Sequence, residues 1–318
     1  MDKQMQCPEF IGVDVAKDTV VVAVHGHSGT RSLANATAAL KAWLKSLPAH
    51  AYIGVESTGG YHELLARLAH RAGLTVYVLN PRDVSHYGNA LGRRAKTDRV
   101  DALLLARYIA KEHKDLHPWQ PPTANQQHLA HLIKRRAVLV KNLGALRQTL
   151  KHVAGMGAQI KAALKALEDL IKAIDGQIKE ALAAQEHTLA ASRTVRSVPG
   201  IGLLSAAALV NLFERLPDAS ADAVVAFSGL DPRPRDSGKK RGLRCLSKRG
   251  PAELRRLLFN AAMSAARTKV WRPYYERDLS KGLSRIAALV CLARRLLRTA
   301  FAVYRTHTSF DPLKAKIA

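Results

Sequence analysis

Apolar and polar positions change rhythm along this chain in a way that divides it. In "EFIGVDVAKDTVVVAVHG" the apolar residues alternate or run together as in half-buried strands, and the break at Ala16 to Asp18 predicts a hairpin. The step lengthens to three and four in "ATAALKAWLKSLP", a helix, before "AYIGVES" returns to strand. "YHELLARLAHRAG" predicts a helix stopped at Gly73, "LTVYVLN" another strand, and "KTDRVDALLLARYIA" an otherwise apolar helix that opens on two aspartates.

Strands alternating with helices over this segment specify an α/β sheet domain, and a sheet that opens with a hairpin and continues through helical crossovers has the order of an RNase H-like fold. Further on the pattern is purely helical. Leu129, Leu132, Leu139, Leu143, Leu146, Leu150 and Val153 follow steps of three and four, with Arg136 in one seam position. After "AGMG" the pattern resumes with Ile160, Leu164, Leu167, Ile171, Ile174 and Ile178. This predicts a coiled-coil hairpin, whose stripe either packs within the chain or pairs with a second copy. Its first arm, Gln126 to Val153, would reach about 40 Å at 1.5 Å per residue. Next, "RSVPGIGLLSAAALV" sets Gly200 and Gly202 ahead of an alanine-rich helix, a helix-hairpin-helix-like element that would aim backbone N–H groups at DNA phosphate. The alternative is a tight turn between helices. The rest is mainly α, ending in the basic amphipathic helix "KGLSRIAALVCLARRLLRTAFAVYRT"; Trp271, Tyr274 and Tyr275 before it suit core packing or capping better than base stacking. The expected domains are 8-122, 123-190 and 191-318.

Charge divides the chain in the same place. Residues 1 to 120 hold 15 basic and 11 acidic residues, whereas the remainder holds 35 and 14. A net charge of +25 placed mostly in the second part points to a polyanion, with nucleic acid favoured because no amphipathic surface helix with an aromatic edge stands out. No run approaches the roughly 18 apolar residues of a membrane span, and "MDKQMQCPEF" is no signal peptide, so a cytoplasmic protein is expected. Cys7, Cys245 and Cys291 have neither metal-ligand spacing nor the number for a disulfide framework. From Arg233 to Arg249 eight basic residues accompany one acid: Arg233, Arg235, Lys239, Lys240, Arg241, Arg244, Lys248 and Arg249 against Asp236. That is the composition of a phosphate clamp.

The acids of the first segment are few, which makes their placement informative. Gly12 and Asp14 share one face of the first strand, and Gly54 and Glu56 one face of another. The bare glycine beside each carboxylate is expected to clear space for a metal or a phosphate backbone. Asp98 and Asp101, three apart, lie on one helical face; acids also suit a helix start, and Asp98 could serve as the cap. Four converging carboxylates would raise one another's pKa, so the set Asp14, Glu56, Asp98 and Asp101 makes sense as a ligand set for divalent metal. Two Mg²⁺ ions at such a site would activate the attacking oxygen and stabilise the leaving oxygen of a phosphodiester.

"IGVDVAK", "GVESTGGYH", "VLNP" and "KTDRVDA", in this order, resemble the RuvC-like DEDD transposases of bacterial insertion sequences, relatives of the Piv-type DNA invertases. More narrowly they resemble the insertion-sequence family numbered one hundred and ten, whose members are bridge-RNA-guided recombinases. The resemblance runs from about residue 10 to 300. It implies magnesium-dependent DNA strand exchange with the tetrad Asp14, Glu56, Asp98 and Asp101. It also implies donor and target DNA and a bridge non-coding RNA as partners, and a homodimer or homotetramer. The serine before a glycine in the basic loop after "GLDPR" is the nucleophile position of the relatives, here Ser237; from composition alone it is a turn residue, with Ser228 and Ser247 as rivals. A junction nuclease using the tetrad without Ser237 is one alternative. An actin-like ATPase or sugar kinase is another, but Val15-Ala16-Lys17 follows Asp14 where that fold places glycines.

Overall fold

A computed structural model describes residues 8–57, 59–93, 97–234, 236 and 244–313. The chain divides into two compact units, Met1–Pro121 and Pro122–Ala318.

The first unit is a mixed α/β domain. Strands β1 (Phe10–Val15) and β2 (Thr19–Val24) form the predicted hairpin, and β3 (Thr30–Ala34) adds an edge. Helix α1 (Thr37–Lys45) leads to β4 (Tyr52–Glu56), α2 (His62–Arg71) to β5 (Thr75–Leu79), and α3 (Pro81–Ala90) precedes α4 (Asp98–Glu112). The sheet order is β3-β2-β1-β4-β5, antiparallel through β1 and parallel from β1 to β5. Alternation along the strands assigns the two faces. Ile11, Val13, Ile53 and Val55 pack with Leu40, Trp43 and Leu65 of α1 and α2. Tyr77 and Leu79 on the other face pack with Leu104, Leu105 and Ile109 of α4. Each fully buried aliphatic side chain in these layers contributes roughly 1.5–3 kcal/mol.

The second unit is helical. Thr123 and Gln126 form a reciprocal capping box that starts α5 (Ala124–Thr149), and α6 (Gly157–Ala183) returns antiparallel to it. The ion pairs Arg136–Asp175 and Arg147–Glu168 fix that direction. The seam is not a continuous apolar stripe. Leu129, Leu132 and Ile133 pack with Ile178, Ala181 and Leu182 at the hairpin's base, and Leu143 and Ile171 are buried further along, whereas Leu146 and Val153 toward its tip are exposed. The helix also stops at Thr149, short of the expected Val153, with Leu150 as its C-cap and Gly155 at φ +76° in the turn that follows.

Helices α7 (Glu186–Arg196), α8 (Leu203–Glu214) and α9 (Ala221–Ser228) follow, then the short pair β6 (Pro232–Arg233) and β7 (Cys245–Leu246). α10 (Ala252–Ala265), α11 (Arg272–Ser280) and α12 (Arg285–Thr306) complete the unit around Leu209, Phe213, Leu258, Trp271, Leu296 and Phe301. Trp271 is fully buried, and Tyr274 and Tyr275 pack partly buried against the same core. Among the described residues no helix is long and apolar enough to cross a membrane.

Candidate active site

Register brings the first two acids together. β1 and β4 are parallel neighbours with Gly12 opposite Gly54 and Val13 opposite Val55, so one further step sets Asp14 beside Glu56 at the strands' C-terminal ends. The two glycines do not open space for a ligand, as the sequence suggested; α4 fills that space. A Cβ on Gly12 would land on the backbone of Ala102 and Ala106, and one on Gly54 would lie 2.7 Å from Cγ2 of Ile109. Glycine is needed because the helix lies directly on the strands, and this seating carries the first turn of α4 to the strand ends.

That turn holds the other two acids. The N-cap is Thr97, whose side chain accepts from the Val100 amide at 3.3 Å, so Asp98 is not the cap but the first helical residue, and it is exposed. Asp101 is half-buried and ion-paired with Arg93. Asp14 registers all three neighbours. Burial first, then the charges of Asp101, Asp98 and Glu56, push its carboxyl up to about 6, against a smaller lowering by the Val15 backbone amide. The four carboxylates thus share one electrostatic field, although among the described residues no three acids, histidines or cysteines converge as a metal-ligand group. An all-oxygen set of carboxylates around Asp14 has the chemistry to suit a hard divalent cation.

Asn35 was not recognised in the sequence. Its Nδ2 donates to the carbonyls of Ala16 at 3.0 Å, Lys17 at 3.4 Å and Tyr61 at 3.4 Å, which ties the turn after Asp14 to the loop after Glu56. A lone asparagine between a strand and a helix gives no periodic signal. Arg93 was likewise hidden in a run of basic residues.

In the second unit, Ser237, Arg235, Lys239, Lys240 and Arg241 lie outside the described residues. The described residues on either side are joined to one another. β6 pairs with β7, Ser247 donates both its amide, at 3.0 Å, to the Asp231 carbonyl and its hydroxyl to the Asp231 carboxylate, and the Lys248 amide reaches the Gly229 carbonyl at 3.1 Å. Arg233, Lys248 and Arg249 are exposed there. Arg244 spends its guanidinium on both carboxylate oxygens of Asp236 at 2.8 Å, so its charge is already matched within the loop. Ser228 is fully buried, donating to the Val225 carbonyl at 2.7 Å and accepting from the Leu230 amide at 3.3 Å, which makes it a helix-end residue with no access to substrate. Gly200, at φ +99°, answers a packing demand: a Cβ would lie 2.6 Å from that of Ala265 on α10. Gly202 is the exposed N-cap of α8, with no side-chain cap on the helix start.

Two sequence patterns of known families match the chain. One, a DEDD-type IS110 transposase domain, covers residues 11–154, and the other, described as transposase IS116/IS110/IS902 family, covers residues 192–276. The chain is 28% identical over 324 residues to the pilin gene-inverting protein of Moraxella bovis, covering 95% of this chain and 97% of that protein. It is 26% identical over 304 residues to the transposase of insertion sequence element IS1111A from Coxiella burnetii, covering 83% and 80%. Identity to the uncharacterized 42 kDa protein of insertion element IS900 from Mycobacterium paratuberculosis is 30% over 158 residues, which span 49% of this chain and 39% of that one. With both domain patterns present in order and relatives matched over nearly their full length, the chain belongs to the IS116/IS110/IS902 family of transposases.

Proposed function

We propose that this transposase cleaves and rejoins DNA strands at a divalent-metal centre formed by Asp14, Glu56, Asp98 and Asp101. The observation that carries the reading is the raised proton affinity of Asp14, which arises from burial and from three carboxylates delivered by β4 and α4. The domain is read as RuvC-like within the RNase H-like fold; a five-stranded sheet ordered β3-β2-β1-β4-β5, with a hairpin leading into parallel strands, supports this. The four side chains would hold Mg²⁺, in two ions, which when bound polarises the phosphodiester and neutralises developing charge. The chain's own part would be to position that set, which the register of β1 against β4 and the seating of α4 on Gly12 and Gly54 support.

Ser237 is proposed as the nucleophile. Its Oγ bonds to phosphorus, its proton passes to a carboxylate, and the deoxyribose O3′ leaves and takes up a proton. The resulting phosphoserine link conserves the bond until the O3′ of the exchanged strand attacks and returns the serine hydroxyl. The basic residues Arg233, Arg235, Lys239, Lys240, Arg241, Lys248 and Arg249, with the α8 start at Gly202, are read as contacts to nucleic-acid backbone, whereas Arg244 is taken up by Asp236. Donor and target DNA and a bridge non-coding RNA are the proposed partners; the RNA rests on the family resemblance and on a net charge of +25. The α5–α6 hairpin is proposed to join copies into a dimer or tetramer.

Incubation of the protein with the RNA and DNA ends of its own element tests the serine step. The expected product is a magnesium-dependent DNA–protein adduct that survives denaturation, is destroyed by protease and is missing in Ser237→Ala. Strand exchange at wild-type rate by Ser237→Ala would leave a nuclease-like centre without a covalent intermediate.

A further inference from the structure

The loop joining β4 to α2 has no role in the chemistry above, although it begins one residue after Glu56. Gly59, at φ +60°, and Gly60, at φ +97°, hold left-handed backbone, and Tyr61 follows with its ring against Gly59. A Cβ on Gly59 would lie 3.1 Å from Cε2 and 3.3 Å from Cδ2 of that ring, so glycine is what lets the ring sit down on the main chain. Tyr61 nevertheless remains 45% exposed, which leaves a large aromatic surface open in the loop that follows Glu56. Its backbone is anchored: the Asn35 amide that takes the Tyr61 carbonyl also takes those of Ala16 and Lys17, two and three residues beyond Asp14.

We propose that Tyr61 is a nucleobase-binding site of the acidic centre, stacking on the base of a nucleotide adjacent to the phosphodiester that the carboxylates act on. The inference rests on the reading of that centre as strand-cleaving. Its physical basis is a division of labour: metal held by the carboxylates would meet the phosphate, whereas the base beside it needs an apolar partner, and base–aromatic stacking is such a contact and accepts any base. The double-glycine turn and Asn35 fix the ring in place before substrate arrives, which limits the ordering cost of binding.

The probe is a single-stranded thymidine oligonucleotide carrying one 5-iododeoxyuridine, irradiated with the full-length protein in Ca²⁺. The expected crosslinked peptide contains Tyr61. On the DNA ends of the element, Tyr61→Phe keeps kcat/KM within about twofold, and Tyr61→Ala lowers it by about 5- to 140-fold, the range of one lost stack. Crosslinking confined to other peptides overturns the proposal, as does equal loss in Tyr61→Phe and Tyr61→Ala, which would assign the role to the hydroxyl. Asp14→Ala separates the two layers: if it still cleaves DNA, the acidic centre is misread, whereas an inactive Asp14→Ala with a fully active Tyr61→Ala defeats the stacking site alone.

Discussion

Replacing Asp14 by asparagine should stabilise the metal-free protein while abolishing its chemistry. The Asp14 carboxyl sits at about 6 in the folded chain against 3.8 for an ordinary aspartate, because of burial and then Asp101, Asp98 and Glu56. Between those values the folded chain binds a proton that the unfolded chain has released, so stability falls as pH rises through this window and the whole penalty is present above it. Two units correspond to a ceiling of about 3 kcal/mol at 1.36 kcal/mol each. Asp14 is only half-buried, and solvent screening brings the expected gain in Asp14→Asn to about 1–2 kcal/mol near neutral pH. Urea unfolding in EDTA, followed through Trp43 in the same unit, should show a midpoint raised by roughly 0.5–1 M. The two proteins should converge below about pH 4. Magnesium should raise the midpoint of the wild type and leave that of Asp14→Asn nearly unchanged. A variant no more stable than wild type in EDTA would refute the shared field.

Gly12→Ala should cost about 3 kcal/mol because its methyl meets the backbone of α4, whereas Gly54→Ala should cost about 1 kcal/mol because Ile109 can turn aside; equal costs in urea melts would contradict the seating of α4. Replacing Lys239, Lys240 and Arg241 together should weaken binding to all DNA sequences alike and reduce the salt slope by about one unit per lost phosphate contact; a changed sequence preference would contradict the clamp. Ser228→Ala should destabilise by about 1–2 kcal/mol through its lost buried hydrogen bonds yet still form the covalent adduct, so loss of the adduct at full stability would contradict the helix-end role.

The parts of the fold legible in the sequence were those whose burial is periodic. β1, β2, β4 and β5 alternate or run apolar, and α2 ends next to the left-handed Gly73, as expected. β3 escaped because it is an edge strand with Arg31, Ser32 and Ala34 exposed, so tertiary pairing, not pattern, makes it a strand. α3 escaped although Asn80 caps it and Pro81 opens it, because "PRDVSHYGNA" buries only Val84 and Gly88. The acids were found through their spacing, but the meaning of the glycines beside them was not. Whether bare backbone faces a ligand or a helix depends on a partner some ninety residues away for Gly12 and fifty-five for Gly54. The heptad stripe was visible too, yet Leu146 and Val153 toward its tip are exposed, because periodicity specifies a face without saying what covers it.

Strand cleavage in magnesium by Asp14→Ala, Glu56→Ala, Asp98→Ala and Asp101→Ala, with DNA binding measured alongside, tests the proposed centre most directly. The account predicts that each variant loses cleavage while binding stays nearly intact, since the basic residues concentrate beyond residue 121. Full activity in any two of the four would contradict it.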